Sequence, residues 1–256
     1  MKVAIIGAGN MGSAIARGLA QGYLVQGREI TVSNPTNEKL EKLKAAYPDI
    51  NTTNDNAEAA ANADIVIVAV KPWLMEEVIS PLRLKRTQIL VSLAAGIPFE
   101  QLAHFSDAEM PLFRVVPNTA IAERASMTLI AARNATDKQK QLLLDIFNEM
   151  GLAMMIPESK IAAATALTSC GIAYVLKYVQ AAMRAGTEMG IAPKEAMKMI
   201  AQSLEGAAEL LLNNDTHPSV EIDKVTTPGG ITIKGINELE HGGFTSAIIN
   251  AMKASK

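Results

Sequence analysis

Gly7-Ala8-Gly9-Asn10-Met11-Gly12 is the stretch of this chain best built for chemistry. It follows a short apolar run, Lys2–Ile6, and opens a helical pattern, Met11–Gln21. Gly7 permits a tight turn, Gly9 lets a phosphate come close to backbone, and Gly12 lets helix and strand pack closely. The helix start adds unpaired N–H groups and the positive end of a dipole. Together these hold a pyrophosphate. A structural turn is the alternative, and the flanking strand and helix favour a dinucleotide.

Other residues extend that ligand site. A carboxylate that binds adenosine ribose hydroxyls is expected ~20 residues beyond such a loop. The chain instead reads Thr31-Val32-Ser33-Asn34-Pro35, with Lys39 the nearest cation. Ser33 and Asn34 have groups to donate to a 2′-phosphate and no acid repels it, which favours NADP(H) while still allowing NAD(H). Val70-Lys71-Pro72 ends a very apolar run and either borders the cofactor or leaves Lys71 facing solvent. Ser92-Leu93-Ala94-Ala95-Gly96 ends the next run, where small residues suit close approach of the nicotinamide half. Trp73 either lines the cofactor mouth or caps the sheet. Near the other end, Thr226-Thr227-Pro228-Gly229-Gly230-Ile231-Thr232 precedes a helical pattern. Its glycines make either an ordinary turn or a nest for a carboxylate, with Thr232 turned to the same ligand.

The elements that position these residues fall into two textures. Residues 1–157 alternate short β-branched runs with helical patterns. The expected strands are Lys2–Ile6, Ile30–Ser33, Ile65–Val70, Ile89–Leu93, Leu112–Val116, Met127–Ala131 and Ala153–Ile156. Helices are expected at Met11–Gln21, Lys39–Ala46 and Lys138–Met150. Ile65–Val70 is apolar at successive positions, so both faces are buried, as in a parallel sheet covered by helices. This is an α/β, Rossmann-type doubly wound domain. Residues 158–256 read as an all-helical domain. Glu158–Met189 is expected as one long helix stopped by Gly190, and a second begins at Pro193 and runs to about Asn213. Shorter ones follow at Ser219–Val225, Gly230–Glu240 and Phe244–Lys253. The long helix is rich in small residues and apolar on more than one side, so a partner subunit is expected over it, cover by the N-terminal domain being the alternative.

Composition removes other classes. The chain has 256 residues, 49% hydrophobic and 20% charged, a globular balance. Lys+Arg 24 against Asp+Glu 26 leaves −2, with no basic surplus for nucleic acid or acidic membranes. One cysteine, Cys170, and three scattered histidines, His104, His217 and His241, offer neither an internal disulfide nor a metal cluster. Cys170 is expected packed and the histidines exposed. No signal-peptide core follows Lys2, and the uncharged stretch Ile161–Leu176 falls short of the ~20 residues that span a bilayer. A soluble cytoplasmic protein is expected.

The ordered set of motifs resembles the pyrroline-5-carboxylate reductase family along nearly the whole chain. The likeness rests on Ile6–Gly12, Ala69–Pro72, Ser92–Gly96, Arg114 with Pro117-Asn118-Thr119, Thr165-Ala166-Leu167, Ala173-Tyr174 and Pro228–Thr232. It implies NAD(P)H-dependent reduction of a cyclic imine carboxylate to L-proline. By similarity the cofactor touches Ala8, Asn10, Met11, Ser33, Asn34, Asn56, Val70, Lys71, Ala94 and Gly96. The substrate carboxylate falls to Gly229, Gly230, Ile231 and Thr232. Thr232 is expected to hydrogen-bond the ring nitrogen. A homodimer through the C-terminal helices is implied, with higher assemblies in some members. The chain departs from the family at Thr168-Ser169-Cys170-Gly171-Ile172, where members usually read Ser-Gly-Ser-Gly-Pro, and at Ala162, where an aspartate is common. Loss of the proline is expected to straighten or shift the helix. Rival readings are a reductase of another imine, a non-catalytic nucleotide-binding homologue, and a hydroxyacid dehydrogenase of similar layout. The last needs a lysine shortly after a glycine pair, and Lys177 lies too far from Gly171.

Overall fold

A computed structural model describes all 256 residues. They form two compact units, Met1–Ser169 and Cys170–Lys256. The first is built on an eight-stranded sheet of order β3-β2-β1-β4-β5-β6-β7-β8. Its strands are β1 (Val3–Ile6), β2 (Ile30–Ser33), β3 (Asn51–Thr53), β4 (Ile65–Val68), β5 (Ile89–Ser92), β6 (Leu112–Val116), β7 (Ser126–Arg133) and β8 (Gly151–Met155). Neighbours run parallel except the antiparallel β6–β7 pair. From β1 the chain first builds outward through β2 and β3, then returns to lay β4 on the other side. That reversal opens a crevice at the strands' C-terminal ends.

Alternate residues of the central strands enter opposite cores. Ile5, Val32, Ile67, Val91 and Phe113 pack with helices α1 (Asn10–Ala20), α2 (Asn37–Ala46) and α6 (Asp137–Asn148). Ala4, Ile6, Val66, Val68 and Leu90 pack with α3 (Asn56–Ala60), α4 (Met75–Ile79), α5 (Phe99–Phe105) and α7 (Ile161–Thr165). Burial on both faces explains why these strands read as unbroken apolar runs. Each large side chain so buried contributes about 1.5–3 kcal/mol. β4 ends at Val68, short of the expected Val70. Ala69 N–H still bonds Ile6 O at 2.8 Å, and the chain then lifts toward Pro72. β7 exceeds its expected span at both ends because it pairs on both sides, with β6 and β8.

Glu158–Met189 is not one regular helix. A 3-10 turn, Glu158–Lys160, leads into α7, a π turn spans Ala166–Cys170, and α8 (Gly171–Glu188) follows. One wide turn stands just ahead of Ile172, so this stretch is not a straight regular helix. The compact division falls after Ser169. Ile161 and Ala164 pack in the sheet's own core, which binds this stretch to the first unit.

In the second unit α9 (Pro193–Asn214), α10 (Pro218–Val225), α11 (Ile231–His241) and α12 (Phe244–Ala254) follow α8. Gly190, at φ +89°, stops α8 as expected. α8 and α9 approach where Gly186 lies against Ala196: a Cβ on Gly186 would stand 3.1 Å from Ala196 Cβ. The Tyr174 hydroxyl bonds Ser255 and the Ala251 carbonyl on α12. Large apolar side chains nevertheless stand uncovered, among them Leu176 at 60% and Leu212 at 72% exposed. The helical run Glu158–Glu188 is 31 residues with a window of mean hydropathy 1.3, so by length and composition it could cross a bilayer, unlike the shorter uncharged stretch within it. Lys177 and Arg184 fall inside this run, with Lys177 Nζ bonding Gln180.

Candidate functional site

Register brings the strand ends level. Ile6 lies beside Ser33 and Val68, and Val68 beside Ser92. The glycine loop, Asn34, Val70-Lys71 and Ala94–Gly96 consequently share the C-terminal edge around the β1/β4 crevice.

The three glycines of the loop differ in what constrains them. Gly7 sits at φ +107°, and a Cβ there would stand 2.8 Å from Ala69 O. A Cβ on Gly12 would stand 1.9 Å from Gly7 O. These two are required by packing. Gly9 has ordinary φ and nothing within 4 Å of its would-be Cβ. It is the N-cap of α1, without a side-chain cap, so the first N–H groups of that helix are open to an anion. The loop thus fits a pyrophosphate: its bare member faces the space that a ligand needs.

Ala8, Gly9, Asn10 and Met11 line a cleft of about 490 Å³ with Arg17, Lys39, Lys42 and Thr119. Its charged lining is wholly cationic, which suits a phosphorylated ligand. Lys42 bonds Glu38 at 2.6 Å, which holds its ammonium above the usual lysine range. Like Lys42, Arg17 is a residue that reading the chain did not single out. It sits two turns into α1, with no local signal that its side chain reaches the cleft. Ser33, Asn34, Asn56, Val70, Lys71, Ala94 and Gly96 do not line this cleft; they stand along the strand edge.

Ser33 and Asn34 both have partners within the protein. Ser33 is fully buried and its hydroxyl donates to Asn56 Oδ1 at 2.8 Å. Asn34 is 8% exposed; its Oδ1 accepts from Ala8 N–H at 3.2 Å and its Nδ2 donates to Thr36. The Ser33 donor is taken by Asn56 and the Asn34 donors by Thr36. Asn34 fixes the loop through its Oδ1 and Ser33 through its carbonyl, which accepts Gly7 N–H at 2.8 Å. Asn56 accepts through Oδ1 and leaves its amide donors for a ligand. The neighbouring Asp55 carboxylate caps α3, on Ala57 and Glu58 N–H. Ala94 is buried, while Lys71, Gly96 and Trp73, at 76%, are exposed.

In the second unit, Gly229 takes φ +72° and Gly230 N–H bonds Thr227 O at 2.9 Å, closing the turn. Gly230 is the N-cap of α11 and carries no side-chain cap. The first N–H groups of α11 are therefore open, with Ile231 and Thr232 exposed beside them. A carboxylate fits there. His104, His217 and His241 are exposed and Cys170 is half-buried.

A doubly wound sheet with a phosphate loop at its switch point, joined to helices bearing a second anion cradle, defines a two-unit oxidoreductase of the dinucleotide-binding class. Residues 2–96 match the family model described as NADP oxidoreductase, coenzyme F420-dependent, and residues 158–256 match that described as pyrroline-5-carboxylate reductase dimerisation. Pyrroline-5-carboxylate reductase 2 of Dictyostelium discoideum is 36% identical over 99% of this chain and 90% of its own length. Pyrroline-5-carboxylate reductase 1 of that organism is also 36% identical over 99% of this chain, which spans about half (48%) of that longer protein. A crystal structure of Plasmodium falciparum pyrroline carboxylate reductase with NADP bound superposes with TM-score 0.89 at 27% identity, covering 100% of this chain and 95% of that one. The chain belongs to the pyrroline-5-carboxylate reductase family.

Proposed function

We propose that this chain reduces 1-pyrroline-5-carboxylate to L-proline in the cytoplasm, as a homodimer, with NADPH the preferred hydride donor. The observation that carries the reading is the pair of open helix starts, Gly9 before α1 and Gly230 before α11, in a member of this family. The first cradle takes the pyrophosphate and the second takes the substrate carboxylate. The bound dihydronicotinamide supplies a hydride. On the adenosine side, the free amide of Asn56 and the Thr36 hydroxyl are the groups offered to a 2′-phosphate. Toward β5 and β6, the Ala94–Gly96 backbone and Thr119 receive the nicotinamide half.

The substrate ring is a C=N bond beside a carbon bearing the carboxylate. Hydride addition to the imine carbon sends the π pair to nitrogen, which carries its proton already when the imine is protonated. The protein's task is to hold the imine carbon roughly 3–3.5 Å from the hydride and exclude water. Thr232, one residue into the open turn of α11, orients the ring nitrogen by hydrogen bonding; an unassisted hydroxyl is too weak an acid to supply the proton freely.

The uncovered apolar side chains of α8 and α9 fit burial against a second copy, in keeping with a dimerisation region over residues 158–256. A steady-state assay of NADPH oxidation tests the reaction, with pyrroline-5-carboxylate beside a six-membered imine and a hydroxyacid with NADP⁺. Turnover of the five-membered imine at least about ten-fold better than either is expected. Preference for another substrate overturns the assignment.

A further inference from the structure

The π turn Ala166–Cys170 presents Ser169 to the segment that follows β6. Ser169 Oγ donates to Pro117 O at 3.1 Å, across 52 positions of sequence and within the first unit. Pro117 follows β6 and leads into Asn118 and Thr119. Asn118 N–H donates to Ser126 Oγ at 3.1 Å, and Asn118 Oδ1 caps Ala120 N–H at 3.0 Å. Those two bonds fix the far side of the loop. Ser169 fixes the near side, from an element outside the sheet. Thr119, next along, forms the cleft wall with Gly9, Asn10 and Met11.

One feature makes this bond more than a chance contact. Each residue of a helix turns it by about 100°, so the extra residue of the π turn decides which side chain meets Pro117. With regular α geometry through Ala166–Cys170, Ser169 would face elsewhere.

We propose that Ser169 is a positioning residue for hydride transfer. Its hydroxyl sets the Pro117–Thr119 loop, and through Thr119 the wall against which the nicotinamide rests. The inference builds on the proposed NADPH reading and acts through the loop without touching substrate.

The test uses the full-length protein with Ser169→Ala and Ser169→Thr. Four quantities are compared with wild type: NADPH Kd, fluorescence lifetime of bound NADPH, kcat for the imine, and Tm. Ser169→Ala is expected to lower kcat about five-fold, the scale of one net hydrogen bond. It should also shorten the lifetime of bound NADPH, while Kd stays within about two-fold and Tm within about 2 °C. Ser169→Thr should recover most of both losses. Wild-type kcat and lifetime in Ser169→Ala would overturn the proposal, as would parallel losses in Kd and Tm, or no rescue by threonine. If the wild-type chain binds NADPH but leaves the imine untouched, the reaction assignment fails, and the lifetime comparison still decides the role of Ser169.

Discussion

Arg114 and Glu158 meet at 2.6 Å, Nη1 to Oε1, and that same oxygen accepts Phe99 N–H at 2.9 Å. One carboxylate thereby joins β6, the start of α5 beyond the Ala94–Gly96 turn, and the entry to the helical segment. The Arg114 side chain is 10% exposed and its buried Nε has no partner, so the guanidinium depends on Glu158. Removing one member of a buried pair costs about 3–5 kcal/mol, and the 29% exposure of Glu158 lowers that toward 2–3 kcal/mol. Glu158→Ala should lose about that much in urea unfolding, and Glu158→Gln less, since its amide oxygen still accepts from Phe99. A loss under about 0.5 kcal/mol in Glu158→Ala would show that the pair is ornamental to stability.

Gly9 and Gly12 should part ways on substitution. Alanine at Gly12 drives a Cβ to 1.9 Å from Gly7 O, forcing backbone apart. Destabilisation of about 1–3 kcal/mol or more is expected. Alanine at Gly9 meets open space in the protein, so Tm should hold while NADPH Kd rises at least about ten-fold, because the methyl occupies the phosphate's approach. Differential scanning fluorimetry with and without NADPH separates the two. Unchanged NADPH affinity in Gly9→Ala would remove the phosphate from this loop.

Much of this was legible in the chain, for a physical reason. β1, β2, β4, β5 and β6 lie deep in the sheet, so their composition alone marks them. β3, Asn-Thr-Thr at the sheet edge, is polar and carries no alternation to read. The helices α3, α4 and α5 are too short to display a helical period. The π turn depends on hydrogen-bond choice within an apolar helix, which no residue pattern announces. The glycine motifs were readable because sterics restrict those positions, whereas the direction of the Ser33 hydroxyl, toward Asn56, is decided only by tertiary packing.

Asn56 should govern the choice between the two nicotinamide cofactors. Its Oδ1 is taken by Ser33, leaving the amide N–H groups for a 2′-phosphate. Asn56→Ala is expected to raise KM for NADPH about five- to ten-fold and leave KM for NADH within about two-fold, the scale of a hydrogen bond to a charged group. Equal changes for both cofactors would take the 2′-phosphate away from Asn56.

Assembly should carry part of the stability. Leu176, Leu212 and Met189 stand 60%, 72% and 74% exposed in the single chain, and covering each would contribute about 1.5–3 kcal/mol. Sedimentation without detergent should give a dimer or a multiple of it, with Tm rising with protein concentration. Leu176→Lys should shift the distribution toward monomer. A monodisperse monomer, or a chain soluble only in detergent, would contradict coverage by a second copy.

Thr232 offers the sharpest separation of binding from chemistry. It lies at the open start of α11, in the second unit, while every residue assigned to the cofactor lies in the first. Thr232→Ala leaves Gly229, Gly230 and their backbone donors in place, so the carboxylate cradle persists. The hydroxyl contributes only where the ring nitrogen gains charge or changes geometry as hydride arrives. Loss of a hydrogen bond to such a charged group should cut kcat/KM for the imine about ten- to a hundred-fold. NADPH Kd, measured by fluorescence titration, should barely move. If Kd and kcat/KM worsen by the same factor, Thr232 acts on cofactor binding or on assembly. A split confined to the imine ties the second cradle to the reacting ring.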